Sequence, residues 1–161
     1  MIRHNVPPIF DKSSKILVLG SFPSVKSREQ AFFYAHPQNR FWKVLSVILK
    51  CETPNSIQEK RDMLINNHIA LWDVIQSCNI VGSDDSSISD VVPNDLEIIL
   101  NNSNIKSIFA NGKTATRLYN KHILPKTHIK AISLPSTSPA NAAWNLDRLI
   151  DAWSIILDYL V

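Results

Sequence analysis

The sequence predicts a single α/β domain, a three-layer sandwich with a central four-stranded parallel sheet flanked by helices. Three observations predict it. Four short apolar runs alternate with segments of helical periodicity, the order that builds a parallel sheet covered on both faces. The first run, KILVLG at residues 15–20, stops at glycine, as a strand buried on both faces does. The 161 residues suffice for one substantial core and are too few for two, so residues 1–161 read as one domain.

The strands are expected at residues 15–20, 69–75, 105–110 and 128–134; Asn111-Gly112 closes the third and Pro135 stops the fourth. Between them, residues 40–50 carry Phe41, Leu45, Ile48 and Leu49 at helical spacing. Residues 57–67 read as a helix with a charged face. Residues 95–101 read as a short helix with Leu96, Ile99 and Leu100 on one side and Pro93 near its start. Residues 113–121 form another after Asn-Gly. The last helix, residues 144–160, has the longest apolar stripe, from Leu146 through Leu149 and Trp153 to Leu160.

Composition excludes several classes. The hydrophobic share of 45% and charged share of 19% belong to a globular chain, not a disordered or fibrous one. No apolar run approaches the ~20 residues that span a bilayer, and residues 1–8 hold no stretch of signal-peptide length. A cytoplasmic monomer away from membranes is therefore expected. Cys51 and Cys78 are too few for a disulfide framework or an iron–sulfur cluster and read as free thiols. The five histidines lack metal-ligand spacing, so no metal and no cofactor is expected. A net charge of +3 permits a polyanionic partner without demonstrating one.

Ligands of parallel sheets bind beyond the carboxyl ends of the strands, which points to the loops at residues 20–39, 73–90, 111–116 and 135–143. In the first, Gly20 permits a sharp turn and close approach to a ligand, Pro23 stiffens it, and Ser21 and Ser24 offer hydroxyls; an ordinary strand-to-helix turn has the same form. Phe32, Phe33 and Tyr34 are costly to leave in water and either plug the core or stack on a planar ligand. Asn39 stands where it would cap the helix that follows, a role compatible with catalysis because a capped residue is held rigidly. Ser138-Pro139 reads as an N-cap followed by proline in a first helical turn, and Ser136, Ser138 and Asn141 surround it with groups suited to a phosphate. Asn111-Gly112-Lys113-Thr114 lacks the first glycine of a phosphate-binding loop, because Ser107 stands there. An esterase built on Ser21 has no evident Asp and His to complete it.

Taken together, Gly20-Ser21-Phe22-Pro23-Ser24, residues 35–45 (AHPQNRFWKVL) and residues 135–142 (PSTSPANA) resemble the uracil-DNA glycosylase superfamily, and in form its hypoxanthine-DNA glycosylase branch. The resemblance implies a monofunctional enzyme of base excision repair that cuts a deaminated base from DNA and leaves an abasic site. Phe22 stands where the mismatch-specific uracil/thymine branch has a water-positioning asparagine, and the resemblance implies that Asn39 takes over that role. Leu134 stands where the uracil-specific branch has histidine, which points away from uracil as main substrate. Asp73 stands where relatives place a base-reading amide; a carboxylate bonded to neighbouring backbone is the alternative. With Gly20, Ser21, Phe22, Pro23 and Tyr34 it makes up the expected base pocket, Phe22 stacking on the base. Lys26, Arg28, Arg40, Lys113 and Arg117 are candidates for phosphate contacts, or solvated surface charge. The rival readings are a mismatch-specific uracil/thymine-DNA glycosylase and a catalytically silent module that binds damaged DNA.

Overall fold

A computed structural model of the chain describes residues 1–4 and 6–161. A two-residue strand, β1 (Ile2–Arg3), precedes β2 (Ile16–Gly20), in which every residue is buried. Helices α1 (Val25–Gln30), α2 (Phe41–Ile48) and α3 (Ile57–Asn66) lead to β3 (Ile69–Asp73), which is also buried throughout. Strands β4 (Ile75–Asn79) and β5 (Ser89–Pro93) follow, then α4 (Glu97–Leu100), β6 (Ser107–Asn111), α5 (Lys113–His122), α6 (Leu124–Thr127), β7 (Ala131–Leu134) and α7 (Leu146–Trp153).

The predicted sheet is present as four parallel strands in the order β3-β2-β6-β7, flanked by helices. The apolar run in β2 sits at its centre: Ile16, Leu17, Val18 and Leu19 are completely buried between β3 and β6. The chain adds β3 on one side of β2 and then crosses to add β6 on the other. That reversal leaves a crevice at the carboxyl ends of β2 and β6. On one flank α2 packs against α7, with Phe41 edge-on to Trp153 at 5.8 Å, and α5 covers β6 and β7.

Several local expectations are corrected. The run at 69–75 is not one strand: the chain leaves the parallel ladder after Asp73, where the N–H of Val74 donates to the Gly20 carbonyl (2.8 Å) and that of Ile75 to Ser21 (3.1 Å). Ile75–Asn79 then joins a second, antiparallel sheet in the order β1-β4-β5. Val74 and Ile75 are apolar and completely buried, like most of β3 before them, so periodicity alone reads them as continuous with it. Pro93 closes β5 and lies ahead of α4, outside the helix. The fourth strand is shorter than residues 128–134, because His128 takes a left-handed conformation that ends α6. The last helix is α only over Leu146–Trp153 and continues as 3₁₀ over Ser154–Tyr159. Ser138-Pro139 starts no helix. Ser138 turns the chain, accepting from the N–H of Ala140 on its hydroxyl and from that of Asn141 on its carbonyl, and Asn145 is the residue that caps α7 through Arg148 N–H.

Candidate functional site

All four parallel strands end on the wall of one cavity of about 780 Å³, at Gly20, Asp73, Asn111 and Leu134. Its other walls come from the four loops singled out above. The volume lies in the range of small-ligand pockets.

Asn39 enters this cavity from the turn before α2. Its Oδ1 accepts from the N–H of Phe41 (3.0 Å), so the side chain organises the helix start. The same oxygen accepts from Thr137 Oγ (2.9 Å), which ties it to the loop after β7. Thr137 is fully buried and bonded in turn to Asn111 at the end of β6, and Asn111 Nδ2 also reaches the Tyr34 hydroxyl (3.1 Å). One polar network thus joins three of the four loops.

Tyr34 is the member of the aromatic trio that faces the site. Phe32 and Phe33 are core residues, though Phe33 also touches the cavity. Tyr34 has a left-handed backbone (φ 50°), stacks on Phe41 with ring centres 4.1 Å apart, and turns its hydroxyl into the network. Burial and the nearby Asp73 charge push its phenol well above its ordinary pKa, so it stays protonated.

Asp73 ends β3 inside the cavity with only 4% of its surface exposed, and its Oδ2 has no hydrogen-bond partner. The carboxylate bonded to backbone, the alternative weighed above, is not what that oxygen does. Burial first, and the charge of Asp85 second, push its pKa up to about 7. A buried acceptor left unpaired is costly, and a ligand donor would satisfy it.

Gly20 is required by this packing. A β-carbon there would stand 2.6 Å from Asp73 Oδ1 and 3.0 Å from the Tyr34 hydroxyl. Gly20→Ala is expected to displace both groups, cost about 1–3 kcal/mol of stability, and reduce ligand binding more than an Ala substitution at exposed Ser83. Thermal melts alongside binding titrations check this; an alanine variant that binds like the parent would show the approach to be unimportant.

The remaining predicted residues divide. Ser21, Phe22 and Pro23 line the cavity; Phe22 is buried, with His4 edge-on at 5.3 Å and the Arg28 guanidinium 5.4 Å from its ring centre. Ser21 Oγ donates to Asp85 Oδ1 (3.1 Å), and no histidine is bonded to it among the described residues, which leaves the esterase reading without a base. Ser136, Ser138, Asn141 and the exposed Lys113 also line the cavity. Lys26 does not: it lies exposed on α1, 3.9 Å from Glu29. Arg40 does not either. Its guanidinium donates to the carbonyls of Ser138 (2.8 Å), Asn141 (3.2 Å), Trp144 and, through Nε, Thr137 (3.4 Å), so it braces the loop after β7. Arg28 Nη2 is bonded to the Gly82 carbonyl (2.7 Å), and Arg117 is outside the cavity wall.

Sequence reasoning missed Asn111, Thr137, Asp85 and Trp144, all on the cavity wall. Asn111 was legible in part, as a polar residue ending an apolar strand at the ligand side. Nothing local marks Thr137 among its neighbouring serines. Among the described residues no cluster of histidine, cysteine or carboxylates has the form of a metal site, and no helix is long and apolar enough to cross a membrane.

Comparison with known proteins assigns the chain a family. The family model of the uracil DNA glycosylase superfamily matches residues 7–157. A protein of Methanosarcina acetivorans named hypoxanthine DNA glycosylase is 31% identical over 153 residues, covering 92% of this chain and 94% of its own. One of Methanosarcina barkeri with the same name is 33% identical over 115 residues, 70% of this chain and 73% of its own. A solution NMR structure of a Methanosarcina acetivorans protein, titled as a candidate uracil DNA glycosylase, superposes with a TM-score of 0.84 at 30% identity and covers 99% of both chains. By the match along nearly its whole length and by the shared fold, the chain belongs to the uracil DNA glycosylase superfamily.

Proposed function

We propose that this DNA glycosylase releases hypoxanthine from deoxyinosine in DNA by hydrolysis, leaving an abasic site. The observation that carries the reading is the buried, unpartnered Oδ2 of Asp73 in the same cavity as Asn39 and Phe22. Hypoxanthine carries an N1–H donor on the edge that distinguishes it from adenine. A flipped-out base lying on Phe22 would bring that donor to Asp73. The names of the two Methanosarcina relatives support the same substrate.

The chemistry asks little acid–base work of the protein. As the glycosidic bond stretches, positive charge develops on the sugar and negative charge on the base, and catalysis is mainly positioning and electrostatics. Asn39 holds the attacking water against the sugar, Asp73 reads the base, and Tyr34 buttresses the pocket. Among the described residues the lysine on the cavity wall, Lys113, is exposed at the rim and not set among the buried groups, which favours a reaction that ends at the abasic site over one through a Schiff base.

Lys113, the first residue of α5 and exposed at the rim, supplies a phosphate contact, with the hydroxyls of Ser136 and Ser138 beside it. Lys113→Ala is expected to weaken binding to all duplexes alike and to reduce the slope of log K against log salt by about 1. An unchanged slope would remove Lys113 from the interface.

The deciding experiment is alkali-developed strand cleavage of duplexes carrying one hypoxanthine or one uracil. Cleavage at hypoxanthine supports the reading. Cleavage at uracil alone moves the chain to a uracil-directed activity, and binding without cleavage of either makes it a silent damage-recognition module.

A further inference from the structure

The orientation of the Asn39 amide is dictated by a chain of hydrogen bonds whose two ends are backbone amides. The N–H of Thr137 donates to Asn111 Oδ1 (3.1 Å), which settles which end of the Asn111 amide is oxygen. Both protons of Asn111 Nδ2 then have acceptors, the Tyr34 hydroxyl (3.1 Å) and Thr137 Oγ (3.0 Å). Thr137 Oγ, receiving there, sends its own single proton to Asn39 Oδ1 (2.9 Å). At the other end, the N–H of Phe41 donates to that same oxygen (3.0 Å).

Backbone protons cannot change place, so the polarity of the chain is set from both sides. Both lone pairs of Asn39 Oδ1 are engaged. Its Nδ2 has no partner among the described residues, and Asn39 lines the cavity, so the end of the side chain left for a ligand is the donor. An amide facing a reacting water in this way cannot take its proton.

We propose that Asn39 acts as a hydrogen-bond donor, oriented by Thr137 and Asn111 as positioning residues, and holds the attacking water by its oxygen. The inference rests on Asn39 being the catalytic residue. In the step that follows, the water oxygen bonds to the sugar carbon C1′, and the electron pair of the glycosidic bond leaves with the base. The proton of the former water passes to solvent, and the departing base takes one from solvent. Neither passes through Asn39. Thr137 and Asn111 touch no reacting atom; they keep the donor outward. Full burial of Thr137 keeps competing water away from its hydroxyl.

The test compares single-turnover hypoxanthine release and duplex affinity for four variants. Asn39→Asp keeps the oxygen that accepts from Phe41 and Thr137 but replaces the donor by a second acceptor. It is expected to be as slow as Asn39→Ala, within about threefold. Thr137→Val is expected to slow release about tenfold or more at unchanged duplex affinity, and Thr137→Ser, which restores the hydroxyl, to recover most of the rate. Packing lost in the valine variant would appear in thermal melts and would not be rescued selectively by serine.

Near-parental activity of Asn39→Asp with an inactive Asn39→Ala would overturn the donor role while leaving Asn39 catalytic. A parental rate for Thr137→Val would overturn the positioning role. A parental rate for Asn39→Ala would remove Asn39 from catalysis and the proposal with it. The Asn39→Asp comparison decides the donor question even if Thr137→Val folds poorly.

Discussion

Asn39→Ala is expected to slow hypoxanthine release by about 10²–10³-fold, the effect of deleting one preorganised donor from a site where charge develops. Duplex affinity should stay within about threefold, because the phosphate contacts proposed above, which would dominate affinity, lie elsewhere. A stability loss accompanies this. Asn39 Oδ1 accepts from Phe41 N–H at the start of α2 and from Thr137 Oγ, and losing a helix-start acceptor costs about 1 kcal/mol. The two effects separate by temperature: a purely structural role predicts that activity recovers well below the melting transition, a catalytic one that it does not. Rates measured across the folded range, with melts on the same preparations, decide between them.

Asp73→Asn is expected to make the protein more stable at alkaline pH while weakening its hold on the base. The carboxyl group's pKa rises from its ordinary 3.8 to about 7 on folding, because burial and the Asp85 charge oppose ionisation. The native state therefore binds more protons than the unfolded chain between those two values. Stability from this group is highest below about pH 4, declines as pH rises toward 7, and is flat beyond about pH 8. A rise of that size corresponds to an upper limit of about 4 kcal/mol at alkaline pH. The asparagine variant lacks this decline; half of that limit would raise its Tm by about 4–8 °C at pH 8. At pH 4 the two proteins should melt close together. An equal Tm difference at pH 4 and pH 8 would show that ionisation of Asp73 is not the cause.

The same substitution tests base reading. Asparagine keeps an acceptor for the N1–H of hypoxanthine and adds a donor for its O6; the N3–H and O4 of uracil offer the same pair, so what the substitution removes is the charge on the acceptor. Hypoxanthine release at pH 8 should slow by about tenfold, the difference between a hydrogen bond to a charged group and one between neutral groups. An unchanged rate would remove Asp73 from base recognition. A site residue whose removal stabilises the fold is one whose strain serves a ligand, and the unpartnered Oδ2 is where that strain resides.

The sequence by itself determined the parallel sheet, because β2, β6 and β7 are short apolar runs separated by helical periods. The ends of these three strands were legible too, since Gly20, Asn111-Gly112 and Pro135 interrupt those runs. With the strand ends came the loops, and with the loops most of the cavity wall, Asn39 and Asp73 included. Three things only the tertiary structure decided. The break after Asp73 depends on backbone acceptors at Gly20 and Ser21, fifty-four residues before Val74 and Ile75 in the chain and invisible to any local pattern. Arg40 stands among the phosphate candidates by charge and place, and only the fold shows that it donates to four carbonyls of the loop after β7. Thr137 is one hydroxyl among several until burial and the Asn111 amide give its proton a direction. Periodicity reports which face of an element is apolar; which polar group meets which is set by distances between residues far apart in sequence, and those exist only once the chain has folded.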